Sequence, residues 1–215
     1  MSETILVTGA SAGFGQAICR RLVADGYRVI GSARRIDKLQ ALQEELGEAF
    51  YPLQMDVTDL SQVDHALASL PKDWEKVDVL VNNAGLALGL APAYEAEVAD
   101  WLTMIQTNIV GLTYLTRKIL PQMVERNDGY IINLGSTAGT VPYPGANVYG
   151  ASKAFVKQFS LNLRADLAGK KIRVSNIEPG LCEGTEFSSV RFKGDEKRVE
   201  ALYRDAHAIQ PEDIA

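Results

Sequence analysis

The sequence predicts an α/β fold in one domain, built on a doubly wound parallel sheet. Three observations carry that expectation. Short apolar runs recur near Ile5, Val29, Tyr51, Val79, Ile131 and Val174 with helical patterns between them, and alternation at this spacing implies parallel strands joined by right-handed crossovers. A glycine-rich turn follows the first run at once. The chain has 215 residues, 47% of them hydrophobic, which is enough for one sizeable core over 1–215 without a second domain.

Ile5-Leu6-Val7-Thr8 reads as a buried parallel strand and ends in Gly9-Ala10-Ser11-Ala12-Gly13-Phe14-Gly15. A helix is expected next, from Gln16 to Asp25, with apolar Ile18, Leu22 and Val23 and with Gly26 as its stop. Strand, glycine turn and helix in this order let backbone N–H groups and the positive helix end approach a pyrophosphate without side-chain obstruction. Gly9, Ser11, Gly13, Phe14 and Gly15 are therefore candidate cofactor contacts. The spacing is G-x-x-x-G-x-G, which differs from the common G-x-G-x-x-G fingerprint, and no Gly-Lys-Ser/Thr follows Gly9 as a Walker loop requires.

The second strand, Tyr27 to Ala33, runs into Arg34-Arg35. An acid about twenty residues beyond the glycines would bind the ribose 2′-hydroxyl of NAD, whereas arginine accommodates the 2′-phosphate of NADP. The chain has no acid there, so the pair favours NADP; a solvated basic pair at a helix start is the alternative. Asp37 reads as the N-cap of a helix from Lys38 to Leu46.

Further along, Tyr149 and Lys153 stand at i and i+4, with Ser136 upstream. On a helix those two positions share a face, so an ammonium can lie beside a phenol. An adjacent positive charge favours the phenolate and lowers a tyrosine pKa from its ordinary value near ~10. With the Ser136 hydroxyl on a substrate oxygen, such a phenol can deliver or remove a proton. Phe155, Phe159, Leu163 and Leu167 continue that helix at four-residue spacing, as ordinary core or interface packing requires.

Composition narrows the partners. A net charge of −5 without any long basic run argues against nucleic acid. No apolar segment approaches a membrane span, and Met1-Ser2-Glu3 leads straight into the first strand, so a cytoplasmic protein is expected. Cys19 and Cys182 lack ligand spacing, and with only His65 and His207 no metal site is expected.

Thr8-Gly9-x-x-x-Gly13-x-Gly15, Asp56-Val57, Asn82-Asn83-Ala84-Gly85, Asn108, Ser136, Tyr149-x-x-x-Lys153 and Pro179-Gly180 stand in one order. In this the chain resembles the short-chain dehydrogenase/reductase family, with its Rossmann fold, from Thr4 to about Ala215. The resemblance implies roles residue by residue. Asp56 and Val57 would contact the adenine and Asn83 the adenine ribose region, with Asn82 more structural. Asn108 would bend its helix and anchor a water serving Lys153. Ser136 would hold the substrate oxygen, and Tyr149 would donate and accept the proton. Lys153 would bind the nicotinamide ribose and lower the Tyr149 pKa, and Pro179 and Gly180 would start the loop over the nicotinamide.

Three stretches narrow the resemblance: Asn82 to Gly89, Phe155 to Arg164 and Gly184 to Phe192. They are similar to the NADP-dependent 3-hydroxy acid dehydrogenases, also described as serine or L-allo-threonine dehydrogenases. The third falls in the variable lid, taken as 181–210, where Thr185 is expected on the cofactor. A small 3-hydroxy acid carries a carboxylate, for which a bidentate arginine is the natural partner. Arg191 is the candidate, with an ordinary surface arginine as the alternative; Glu178 and Glu186 are weaker candidates for orienting an amino group. The implied function is hydride transfer between NADP and a small 3-hydroxy acid such as serine, L-allo-threonine or 3-hydroxypropionate. A broad carbonyl reductase and a non-catalytic NADP-binding protein remain the alternatives.

Gln210-Pro211-Glu212-Asp213 reads as a helix start. Relatives of this type continue with that helix and a seventh strand, so a chain shortened at its C-terminus is expected, with a homotetramer when that end is complete.

Overall fold

The computed structural model describes residues 3–204 and 206–215. Six strands form one parallel sheet in the order β3-β2-β1-β4-β5-β6. They are β1 (Thr4–Thr8), β2 (Arg28–Ala33), β3 (Phe50–Gln54), β4 (Val79–Asn82), β5 (Gly129–Leu134) and β6 (Ile172–Ile177). The order reverses between β1 and β4, which opens a crevice at the carboxyl edge. All six expected strand positions are occupied.

Both faces of the sheet are covered, so its strands read as continuous apolar runs. Ile5, Val7 and Val29 pack on one side with Ile18 of α1 (Gly13–Ala24) and Leu39 and Leu42 of α2 (Ile36–Leu46). Leu6, Ile30 and Leu80 pack on the other with Val63 of α3 (Leu60–Ala68) and with Leu115 and Ile119 of α5 (Leu112–Arg126). Leu163 near the end of α6 (Asn147–Asp166) joins this second layer. The aromatic stripe of α6 divides: Leu163 is buried, whereas Phe155 is 36% exposed and stacks on Phe159 with 5.8 Å between ring centroids.

Helix ends follow local chemistry. Gly26, at φ 89°, ends α1 as anticipated: its N–H donates to Val23 O and that of Tyr27 to Leu22 O, both at 3.0 Å, the paired closure that a left-handed residue permits. Tyr27 is spent on that closure, so β2 begins at Arg28. Asp37 is not the N-cap of α2. That position falls to Arg35, and Asp37 lies in the first turn, where its charge complements the helix dipole. Pro211–Asp213 forms a single 3-10 turn in which Gln210 N donates to Asp213 Oδ2 at 2.8 Å.

Between α4 (Val98–Ile105) and α5 the helix passes through a π-helical stretch, Gln106–Gly111, that contains Asn108. Such π-helical turns are rare and recur at functional sites. The segment 181–210 is an excursion carrying α7 (Phe187–Arg191) and α8 (Glu196–Tyr203). Its base is stitched by a bridge between Cys182 and Ile209, with Ile209 N donating to Leu181 O and Glu183 N to Ile209 O, both at 3.0 Å.

Candidate active site

A cleft of about 640 Å³ lies beyond the carboxyl ends of the strands and under the 181–210 excursion. Its floor is the glycine turn, its far end the reacting trio, and its roof Thr185 to Arg191. Ser11, Phe14, Arg34, Asp56, Val57 and Gly180 all line it, as do Gly9, Gly13, Arg35, Asn83, Pro179 and Thr185.

The turn is shaped for close approach. Gly9 and Gly13 hold φ of 68° and 53°, a region that costs L side chains strain. Ala12 caps α1 with no side-chain hydrogen bond, and the first turn holds no acid. The first N–H groups of that helix are thus left to an anion in the cleft. Asn83 donates from Nδ2 to Thr8 O at 2.7 Å and to Gly9 O at 3.4 Å. Its amide therefore braces the turn, and its side-chain oxygen is the atom left for a ligand. Gly15 does not line the cleft: a Cβ there would collide with the Gly9 carbonyl, so its part is to let α1 close on the turn. Asn82 is structural, donating to Thr116 Oγ1 and Asn133 Oδ1 at 2.9 Å each.

At the β2 end, Arg35 donates to Ser11 Oγ at 3.1 and 3.3 Å and to the Glu186 carboxylate at 2.8 and 3.2 Å. Glu186 is therefore committed to Arg35 and is not disposed to orient a substrate amino group. Glu178 is also engaged elsewhere. Its carboxylate takes Asn176 Nδ2 at 2.8 Å and Lys157 at 3.3 Å, outside the cleft.

At the reacting end, Ser136 follows β5, and Tyr149 and Lys153 lie one helical turn apart on α6, both buried. Burial pushes the Tyr149 phenol above its ordinary pKa; the nearby Ser136 hydroxyl and the charge of Arg191 pull it back, while Tyr143 adds to the rise. Ser136 Oγ accepts from Ala138 N at 3.2 Å and donates to Pro179 O at 3.5 Å. Lys153 stands beside the phenol, one turn further along α6. Its Nζ lies 5.9 Å from the ring centroid and donates to Leu134 O at 2.7 Å, and burial brings its own pKa down to about 8, which weakens its hold on a charge.

Asn108 stands behind the wall. Its Nδ2 donates to Leu86 O at 2.9 Å and Ser152 Oγ at 3.0 Å, and its Oδ1 accepts from Leu86 N at 2.9 Å. The π-helical stretch thus ties the segment after β4 to α6, and a Cβ on Gly85 would meet Asn108 Oδ1 at 3.3 Å.

Arg191 lies in the cleft, 8% exposed. Its Nε donates to Gly89 O and its NH2 to Tyr143 Oη, each at 3.1 Å, and its guanidinium carbon lies 5.7 Å from the Tyr149 ring centroid. No carboxylate among the described residues forms an ion pair with it. The sequence reading missed Tyr143, Phe187 and Tyr203, which also line the cleft. Phe187 meets the Tyr149 ring edge-on at 5.8 Å. No spacing in the sequence marks these three, because folding alone brings their segments to the cleft.

A glycine turn at a sheet switch point, with a serine, tyrosine and lysine beside it, defines a class of protein: an α/β dinucleotide fold equipped for proton transfer. The chain belongs to the short-chain dehydrogenase family, whose family model, described as short chain dehydrogenase, matches residues 3–196. It is 61% identical over 214 residues to a probable NADP-dependent dehydrogenase of Haemophilus influenzae, covering 100% of this chain and 85% of that protein. It is 60% identical over 210 residues to the NADP-dependent 3-hydroxy acid dehydrogenase YdfG of Salmonella typhi, covering 98% and 85%. Among solved structures, the closed form of serine dehydrogenase complexed with NADP+ superposes with a TM-score of 0.97 at 58% identity, covering 98% of this chain and 85% of that one.

Proposed function

We propose that the protein is an NADP-dependent oxidoreductase that interconverts a small 3-hydroxy acid and its 3-oxo acid. The observation that carries the reading is Arg191, a buried guanidinium beside Tyr149 that has no carboxylate partner among the described residues. A buried charge is costly unless paired, so a carboxylate entering the cleft is its natural complement. The names of the relatives and of the serine dehydrogenase structure support the same substrate class.

The residues present fit a dinucleotide. The uncapped α1 start and the strained glycines suit its pyrophosphate. Arg34, Arg35 and Ser11 suit a 2′-phosphate, and Asp56, Val57 and the Asn83 oxygen suit the adenosine. Lys153, Pro179, Gly180 and Thr185 suit the nicotinamide half. When bound, the cofactor supplies or accepts the hydride. Ser136 holds the substrate oxygen, and Tyr149 gives it a proton in reduction or takes one from it in oxidation. Lys153 orients the ribose, and Asn108 fixes the α6 turn on which Tyr149 and Lys153 stand. The 181–210 segment acts as the lid.

Self-association completes the proposal. A homotetramer is the arrangement inferred from the family resemblance, and the apolar Val98 and Leu102 on α4, exposed at 62% and 61%, suit self-association of some kind. The setting proposed from the sequence is cytoplasmic. In the structure, no helix of the described residues is long and apolar enough to cross a membrane.

The test is absorbance at the reduced-nicotinamide band with NADP+ or NAD+ against serine, L-allo-threonine, 3-hydroxypropionate and uncharged alcohols. Turnover of acids with NADP+ in preference to NAD+ supports the reading. Faster turnover of uncharged alcohols would replace it with a broad carbonyl reductase, and silence with every substrate would leave only NADP binding.

A further inference from the structure

We propose that Tyr143 is a second donor to the substrate carboxylate, so that its hydroxyl and the Arg191 guanidinium together grip the acid group and separate acids from neutral alcohols. The inference rests on the carboxylate reading above and names the residue that completes the same subsite.

Arg191 NH2 donates to Tyr143 Oη at 3.1 Å. A phenol that accepts from a guanidinium keeps its own single proton for another acceptor, and the neighbouring positive charge strengthens that donation. Tyr143 lines the cleft and is half-buried. The acceptor that completes the set is an anion placed between the two groups.

The chain goes to some length to hold this pair. Gly145 has φ 78°, and a Cβ there would collide with the Leu90 carbonyl, so the Tyr143 loop is pressed onto the segment after β4. Asn147 Nδ2 donates to Ala91 O at 3.1 Å across the same seam. That segment also grips Arg191, since Gly89 N donates to Arg191 O at 2.9 Å and Arg191 Nε returns to Gly89 O at 3.1 Å. Three stretches distant in sequence thus meet at one guanidinium, and an ordinary surface arginine needs none of them.

Position sets the substrate class. The guanidinium carbon of Arg191 lies 5.5 Å from the Tyr143 ring centroid and 5.7 Å from that of Tyr149. An acid group held there lies next to the proton-transferring phenol, which suits a short acid rather than a long chain.

The experiment compares Tyr143→Phe with the parent enzyme on 3-hydroxypropionate and on its methyl ester, with NADP+ as cofactor. NADPH affinity, read by fluorescence, reports an intact cleft. The expected result is a KM for the acid raised about tenfold, with kcat and the KM for the ester each changed by less than about twofold. An acid KM within about twofold of the parent's, or an equal rise for acid and ester, overturns the assignment. Arg191→Ala, run in parallel, separates the two failures. If it raises the acid KM without raising the ester KM while Tyr143→Phe does not, only the Tyr143 role falls; if it raises neither KM, or both equally, the carboxylate reading falls with it.

Discussion

Arg35 holds Glu186 through two hydrogen bonds, at 2.8 and 3.2 Å, and so joins the end of β2 to the start of the 181–210 excursion. The arginine expected to read the cofactor phosphate is also the residue that fastens the roof. Thr185 reinforces the contact from the lid side, where a Cβ on Gly13 would meet its Cγ2 at 3.2 Å.

Glu186→Gln should therefore loosen the lid without touching the trio. The pair is largely exposed, at 42% and 54%, and such pairs are worth about 0.2–1 kcal/mol. NADPH dissociation, followed by stopped-flow fluorescence, is expected to quicken by about 1.5- to 5-fold at low salt and by less at high salt. An unchanged rate at both would show that the pair does not restrain the lid.

Replacing Arg34 and Arg35 together by alanine removes the positive end of the cleft. Affinity for NADPH should fall by at least about tenfold more than affinity for NADH, since a charge-assisted hydrogen bond contributes about 1.5–3 kcal/mol. Parallel equilibrium titrations check this, and equal losses would count against a 2′-phosphate site.

Arg191 also bears on acid–base behaviour, because its charge is one of the influences pulling the Tyr149 pKa down. Without it the phenolate is less favoured, so less base exists at a given pH. For Arg191→Ala the pH profile of alcohol oxidation, measured on the methyl ester, should move to higher pH. A profile that stays in place would separate Arg191 from the phenol.

Lys153 contributes to stability with the sign of a buried base. Its pKa is lowered from 10.5 to about 8 by burial, so the unfolded chain binds the proton more tightly and stability rises with pH across that window. Relative to Lys153→Met, the parent is expected to gain about 2 kcal/mol of unfolding free energy between about pH 7 and 10. Urea titrations of both proteins at each pH measure the gain, and the Tyr149 contribution cancels in the difference. A difference independent of pH would mean that Lys153 is not held in a costly environment.

Most of the scaffold was legible because its signals are local. Apolar runs such as Ile5 to Thr8 mark strands buried on both faces, and the glycines report the turn directly. Tyr149 and Lys153 were legible because helix periodicity fixes their shared face. What the sequence concealed depends on contacts between distant segments. Nothing local tells that Glu186 meets Arg35, or that Lys153 Nζ donates to Leu134 O. Tyr143 was hidden for the same reason: its partner Arg191 lies on the distant helix α7. Asp37 was misplaced by two residues, since N-cap preference and first-turn preference favour the same residue type.

The central claim is that the Tyr149 hydroxyl transfers the proton that accompanies hydride transfer in this cleft. Single-turnover oxidation of bound NADPH by a 3-oxo acid, compared between the parent and Tyr149→Phe, tests it most directly. The account predicts that the variant binds NADPH within about twofold of the parent yet loses at least about a hundredfold in the rate of absorbance decay, as removal of a general acid implies. An undiminished rate in Tyr149→Phe would contradict it.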